Sequence, residues 1–222
     1  MTSNETRCSA WQLYVIIDAA SAGGRDLAAL AAAAIRGGAD ALQLRDKQAA
    51  ARQLLDEAKR LLRVTRPAGI PLIINDRADV AAAAGADGVH LGQGDLPAGG
   101  ARRLLGPGAL IGQSTHSLEQ AIAARDELVD YIGWGPLFAT PTKPDYGAIG
   151  LELIGRVTRE ARCPVVCIGG IDARTLDQVL EAGAACVAVV RAVCAAADPE
   201  AAARALKSRL SQFHRAPHAP SL

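Results

Sequence analysis

Eight times along this chain a short apolar run with strand character is followed by a run with helical spacing, and that alternation narrows the available folds more than any single motif. The strand-like runs cover residues 12–18, 41–45, 72–75, 88–91, 109–113, 129–132, 165–168 and 186–190. Alanines and leucines at helical spacing cover 26–36, 49–64, 77–84, 98–105, 118–124, 151–161, 173–182 and 199–210. Strands separated by helices run parallel, because a parallel pair cannot be joined by a tight turn, and such crossovers are right-handed. Eight units within 222 residues fit an α/β chain folded as a single (β/α)8 TIM barrel over 11–211 better than an open doubly wound sheet. Residues 1–10 are expected to form a flexible N-terminal segment and 212–222 a disordered C-terminal tail.

Composition agrees with helices packed on a sheet. The chain is 50% hydrophobic, enough for a sizeable core, and its 3% aromatic content suits close helix-on-sheet packing better than a β-sandwich. A formal net charge of +1 carries neither a nucleic-acid footprint nor an acidic tail, so no nucleic-acid partner is expected. No apolar stretch reaches membrane-spanning length and the first ten residues lack a signal-peptide core, which implies a cytoplasmic chain with no membrane partner. Cys8, Cys163, Cys167, Cys186 and Cys194 lack metal-ligand spacing and read as reduced, mostly buried thiols. A homo-oligomer is left open.

Gly38-Ala39-Asp40 and Gly85-Ala86-Asp87 precede the second and fourth strands, and Gly183-Ala184-Ala185 echoes them before the eighth. The glycines fit helix C-caps at the bottom of the barrel, so these segments read as structural.

In a barrel of this kind chemistry sits at the C-terminal ends of the strands. Strand two ends in Gln43-Leu44-Arg45-Asp46-Lys47, strand three in Asn75-Asp76-Arg77, and strand four in His90-Leu91-Gly92-Gln93-Gly94-Asp95. Strand five ends in Gln113-Ser114-Thr115-His116 and strand seven in Gly169-Gly170-Ile171-Asp172. Alternation along strand two turns Gln43 and Arg45 to the barrel mouth and Leu44 outward. After strand six comes the stretch 133–150, GWGPLFATPTKPDYGAIG, whose glycines and prolines exclude a regular element. Pro136, Leu137, Phe138 and Tyr146 give it apolar anchors that a solvated linker lacks, so it reads as a functional loop, with 144–150 as a mobile flap.

Arg45, Lys47 and Lys143 supply cations from two loops, and Asp76 and Asp95 supply carboxylates from adjacent ones. Magnesium is typically held by one or two carboxylates plus substrate phosphates, so this set points to a diphosphate with Mg2+. Gly169-Gly170, ahead of a helix, suits a second phosphate bound by backbone N–H groups. Taken singly, an aspartate at a helix start is more often an N-cap and a Gly-Gly pair more often a turn. Their coincidence on one rim favours binding. His90 reads as a packed or hydrogen-bonding core histidine, His116 as a cap or rim residue, and Trp134 as packing.

Taken together and in order, the segments Gln43 to Lys47, Asn75-Asp76, Gly88 to Asp95, Gly112 to His116, Gly135-Pro136 through Thr140 to Lys143, and Pro164 through Gly169-Gly170-Ile171 resemble the successive signatures of the thiamine-phosphate synthase family, from about residue 13 to 193. The resemblance implies a (β/α)8 transferase that joins 4-amino-2-methyl-5-(diphosphooxymethyl)pyrimidine to 4-methyl-5-(2-phosphoethyl)thiazole, giving thiamine monophosphate and diphosphate. It implies that Gln43, Arg45, Lys47, Asn75, Ser114 and Lys143 contact the pyrimidine diphosphate, with Arg45, Lys47 and Lys143 stabilising the leaving group. It further implies one Mg2+ on Asp76 and Asp95, and a thiazole phosphate held by Thr140, Thr142, Gly170 and the backbone at Val190. The chain departs from the pattern at Arg191, where a serine usually follows the valine pair; a guanidinium there can bind phosphate bidentately. Two other readings compete. A thiazole tautomerase would have no diphosphate to bind and so no reason to keep Gln43, Arg45, Lys47, Asp76 and Asp95 together; a non-catalytic barrel could sense thiamine phosphates.

Overall fold

A computed structural model of the protein describes residues 2–140 and 147–215. Eight parallel strands, β1 (Leu13–Asp18), β2 (Ala41–Arg45), β3 (Leu72–Asn75), β4 (Gly88–Leu91), β5 (Leu110–Thr115), β6 (Tyr131–Trp134), β7 (Val165–Ile168) and β8 (Cys186–Val189), close into a barrel in sequence order. A helix α1 (Ser3–Ser9) precedes the barrel, and α2 (Leu27–Arg36), α3 (Ala51–Ala68), α4 (Ala78–Ala84), α5 (Ala98–Leu105), α6 (Leu118–Ala123), α7 (Ile154–Glu160) and α8 (Leu176–Glu181) each follow a strand. The short α9 (Arg191–Cys194) and the long α10 (Pro199–Arg215) follow β8. Among the described residues, no helix is long and apolar enough to cross a membrane.

Strand alternation divides the apolar residues into two cores. Leu13, Val15, Ile17, Leu42, Leu44 and Ile74 face outward and pack beneath the helices. Tyr14, Ile16, Ala41, Ile73, Leu110, Tyr131 and Val166 face inward. The outer shell supplies most of the stabilisation, at roughly 1.5–3 kcal/mol for each fully buried leucine or isoleucine. Small residues set its spacing: a Cβ on Gly37 would stand 2.5 Å from Ala203 Cβ, so α2 and α10 approach closely only because that position is glycine.

The bottom of the barrel is stitched by three aspartates. Asp40 Oδ2 accepts from the Gln12 and Leu13 N–H groups, both at 2.8 Å, Asp87 Oδ2 from Leu72 N–H at 2.9 Å, and Asp130 Oδ2 from Ile111 N–H at 2.8 Å. Each carboxylate satisfies N–H groups at or next to the start of the preceding odd-numbered strand. The Gly-Ala-Asp segments are structural, as expected; Gly85 caps α4 in the left-handed conformation, at φ +66°.

Several boundaries differ from the sequence expectation. The segment 1–10, expected to be flexible, contains α1, capped by a reciprocal Thr2–Glu5 box, with Asn4 and Cys8 buried. Asn4 Nδ2 donates to Ala109 O at 2.9 Å, and Cys8 and Trp11 join the inner core. The first four residues of the expected tail belong to α10, and 216–222 lie outside the described residues. Strand β6 begins at Tyr131 instead of 129, because Asp130 is committed to Ile111 through both its carboxylate and its N–H. Helix α3 runs past Pro67 to Gly69, at φ +68°, and α7 starts at Ile154 after a turn at 151–153.

Candidate active site

The C-terminal strand ends open on a cavity of about 420 Å³. Gln43, Arg45, Asn75, Ser114, Thr140, Gly170, Val190 and Arg191 all line it, so the structure brings together side chains that the sequence places on six different strand ends or loops. Lys47, Asp76 and Asp95, in the loops after β2, β3 and β4, are not among the residues that line it. Thr142 and Lys143 lie outside the described residues.

On the β1–β2 side, the Arg45 guanidinium pairs with Asp18, whose side chain is 2% exposed. The two residues face each other in register as the last residues of β1 and β2. Asp18 Oδ1 also accepts from Ser21 N–H at 2.8 Å, so the carboxylate is fixed and aims the guanidinium. Sequence reasoning missed Asp18, although a carboxylate ending a strand at the rim was a signal of the kind used elsewhere.

At the β3–β4 corner two carboxylates converge. Asp76 sits at φ +63°, a conformation that costs a non-glycine residue roughly 1–2 kcal/mol. It is held there by its N–H donating to His90 O at 2.8 Å. Lys47 Nζ lies 3.2 Å from Asp76 Oδ2. Asp95 accepts from Gly92 N–H at 2.6 Å, yet burial, followed by the charge of Asp76, pushes its carboxyl above the usual carboxylate range. Two carboxylates forced together, with one resisting ionisation, are a donor set that a divalent cation relieves. No cluster of three or more histidine, cysteine, aspartate or glutamate residues exists among the described residues. A cation here would complete its shell with water and phosphate oxygens, as magnesium does.

The opposite wall is made by β7 and β8. Gly169 and Gly170 have φ of +104° and +70°, and Cβ atoms there would stand 2.5 Å from Pro136 Cα and 2.6 Å from Phe138 Cβ. Glycine at both positions lets the loop after β6 pack against the strand end. Arg191 begins α9 exposed at the cavity wall, and Arg174, also on the wall, is turned to Asp172 at 2.8 Å. Neither Arg174 nor α9 was evident beforehand: Arg174 falls in a run that reads as helix, whereas α8 begins only at Leu176, and α9 is four residues long.

The long loop is more constrained at its base than its composition implied. Gly133 and Trp134 belong to β6; Leu137 and Phe138 N–H donate to Ile168 and Gly169 carbonyls at 2.9 and 3.1 Å. Ile149 and Gly150 N–H donate back to Pro136 and Leu137 carbonyls at 2.9 and 3.2 Å, so those two residues form a stem and are not part of a free flap. Residues 141–146 lie outside the described residues. His116 acts at the rim: its Nδ1 bonds the Gly135 carbonyl at 2.5 Å and its N–H donates to Gln120 Oε1 at 2.8 Å. His90 is a hydrogen-bonding interior histidine, at 3.2 Å from Tyr131 Oη and 3.0 Å from Ser114 Oγ. Trp134 packs in the outer core.

All five cysteines are free, and burial pushes every thiol up, Cys163 and Cys167 to about 12 and Cys194 to about 11. They are protonated at neutral pH and take no part in the site. An aromatic disulfide reagent at pH 7.5 is expected to leave the folded protein essentially unlabelled over minutes and to titrate all five thiols in denaturant; rapid labelling of a native thiol would contradict this.

The family model described as thiamine monophosphate synthase matches residues 13–193. The thiamine-phosphate synthase of Chloroflexus aurantiacus is 49% identical over 202 residues, covering 90% of this chain and 93% of that protein. That of a Roseiflexus species is 50% identical over 195 residues, 87% of this chain and 83% of the relative. Among solved structures, a thiamine phosphate pyrophosphorylase from Pyrococcus furiosus superposes with a TM-score of 0.85 at 35% identity, over 94% of this chain and 98% of that one. A 3-hexulose-6-phosphate synthase, at 19% identity and a TM-score of 0.64, shares the fold alone.

Proposed function

The chain belongs to the thiamine monophosphate synthase family, and from that membership we propose how its rim divides the work of the reaction. Its activity is thiamine-phosphate synthesis, the transfer of the pyrimidinylmethyl group from its diphosphate to the nitrogen of the thiazole phosphate. The observation that carries the division is that one cavity is lined by an arginine from β2 and, at the β7 and β8 ends, by a glycine pair and a second arginine. Arg45 lines the β2 side, where Lys47, Asp76 and Asp95 follow in the loops after β2, β3 and β4, and Gly169, Gly170 and Arg191 line the β7–β8 side.

The first wall suits the pyrimidine diphosphate. Asp76 and Asp95, whose carboxyls crowd each other, would hold one Mg2+, with water and phosphate oxygens filling the rest of its shell. When bound, that ion would neutralise charge developing on the departing diphosphate. Arg45 is pre-aimed by Asp18 and donates to phosphate oxygens without reorganising, while exposed Lys47 moves from Asp76 to the substrate. Lys143 is assigned the same role from the loop. Gln43, Asn75 and Ser114 orient the ring.

The pyrimidinylmethyl C–O bond breaks with its electron pair going to the diphosphate, and the amino-substituted ring delocalises the cation left behind. The lone pair of the thiazole nitrogen then forms the new C–N bond. No proton has to leave either partner at that step, so stabilising the leaving group and excluding water are the protein's main tasks.

The second wall suits the thiazole phosphate: positive-φ Gly169 and Gly170 allow close backbone approach, Thr140 and Thr142 add hydroxyls, and the backbone at Val190 with the Arg191 guanidinium completes the set. Kinetics with each substrate varied in turn tests this polarity. Arg191→Ala is expected to raise KM for the thiazole phosphate by about ten-fold, the loss of one hydrogen bond to a charged group, with KM for the pyrimidine diphosphate unchanged. A rise confined to the pyrimidine diphosphate would reverse the two ends, and no change in either would make Arg191 a structural residue. No observation favours the tautomerase or the sensor.

A further inference from the structure

A row of five side chains crosses the inner floor of the barrel. Gln43 Nε2 donates to Tyr14 Oη at 2.9 Å, Tyr14 Oη meets Tyr131 Oη at 3.1 Å, Tyr131 Oη meets His90 Nδ1 at 3.2 Å, and His90 Nε2 meets Ser114 Oγ at 3.0 Å. The row exists because β5 and β6 carry glycines beside it: a Cβ on Gly112 would stand 2.2 Å from the Tyr131 ring and 2.6 Å from His90 Nδ1, and one on Gly133 would stand 3.2 Å from the His90 ring.

The donors in this row can be counted. An amide nitrogen only donates, a phenol has one hydrogen to give, and a neutral imidazole has one donor and one acceptor nitrogen. Tyr14 oxygen accepts from Gln43, so its hydrogen goes to Tyr131. Tyr131 must then donate to His90 Nδ1, which leaves the imidazole hydrogen on Nε2, donating to Ser114. The Ser114 hydrogen is released to the cavity. Burial pushes both phenols up, so each keeps its hydrogen at neutral pH. A row polarised one way also strengthens each of its bonds.

We infer that Tyr14, Tyr131 and His90 are positioning residues that give the cavity floor a fixed polarity, with the Ser114 hydroxyl presenting a donor and the Gln43 amide oxygen an acceptor to the ring above. The ligand chemistry this selects is an aminopyrimidine, whose exocyclic N–H donates to the Gln43 amide oxygen and whose ring-nitrogen lone pair accepts from the Ser114 hydroxyl. An oxopyrimidine would meet the floor with its donors and acceptors exchanged. The ligand half of the inference rests on the proposed placement of the pyrimidine; the direction of the row does not.

The test has two parts. Long-range proton–nitrogen correlation spectra of the unligated protein, with His90 assigned by comparison with His90→Gln, read its tautomer directly. The expected form has hydrogen on Nε2 and none on Nδ1; hydrogen on Nδ1 would mean the reverse direction and overturn the inference. Tyr131→Phe, which cuts the row, is expected to raise KM for the pyrimidine diphosphate about ten-fold, in line with leaving a buried group unpaired, and to leave KM for the thiazole phosphate within about two-fold. Both KM values unchanged would overturn the positioning role. A rise for the thiazole phosphate alone, with the expected tautomer, would overturn the placement of the pyrimidine over this floor while the row itself stood.

Discussion

Arg45→Ala is expected to damage both turnover and fold, because the guanidinium serves two partners. Toward the substrate it is a preorganised cation where diphosphate charge develops, and losing one such contact is expected to lower kcat/KM for the pyrimidine diphosphate by about 10²–10³. Toward the protein it neutralises Asp18, whose side chain is 2% exposed and which keeps the Ser21 N–H but no counter-charge among the described residues when the guanidinium is removed. Stranding a buried carboxylate costs about 3–5 kcal/mol, so thermal unfolding of the same variant is expected to move down clearly. The companion Asp18→Ala separates the two effects: the guanidinium survives without its guide, and a loss of about ten-fold in kcat/KM is expected from misplacement alone. Equal activity of Asp18→Ala and wild type would show that Arg45 needs no guide.

The second large effect lies at the other end of the barrel and should leave chemistry untouched. Asp130 is buried, its Oδ2 accepting from Ile111 N–H at 2.8 Å and from Arg102 Nη2 at 2.7 Å. Asp130→Ala leaves a buried strand donor unsatisfied and removes the counter-charge of Arg102, an expected loss of about 3–5 kcal/mol. For a domain of this size that corresponds to a fall in Tm of roughly 6–20 °C, at about 2–4 °C per kcal/mol. Asp130→Asn keeps an acceptor for Ile111 and is expected to recover about half of the loss. Both KM values measured well below the transition should match wild type; altered KM values would mean that the bottom of the barrel communicates with the rim.

The barrel was legible because a strand buried on both faces reads as an unbroken apolar run, and eight such runs at regular spacing leave few alternatives. The rim was legible because polar residues at the C-terminal ends of apolar strands have little structural reason to be there. Asp18 escaped notice because it closes a strand otherwise filled with core residues. Its importance follows from register: it stands opposite Arg45 only once β1 and β2 are paired. The floor row escaped for a related reason. Tyr14 and Tyr131 are 117 positions apart and look like ordinary strand aromatics, and only barrel closure brings their hydroxyls to 3.1 Å. Helix α1 was hidden because Cys8 alone carries it into the core, which leaves a polar decapeptide without visible periodicity.

The central claim is that one cavity joins the two substrates, with an acidic corner at β3–β4 serving the diphosphate. The most direct measurement mixes the purified protein with the pyrimidine diphosphate and the thiazole phosphate and follows thiamine monophosphate and diphosphate together, with Mg2+ and after its removal by a chelator. Equal amounts of the two products with Mg2+ are expected, with turnover lost on chelation and weakened in Asp76→Asn and Asp95→Asn. Product formed at the same rate without Mg2+ would contradict the metal assignment, and no product under either condition would contradict the account as a whole.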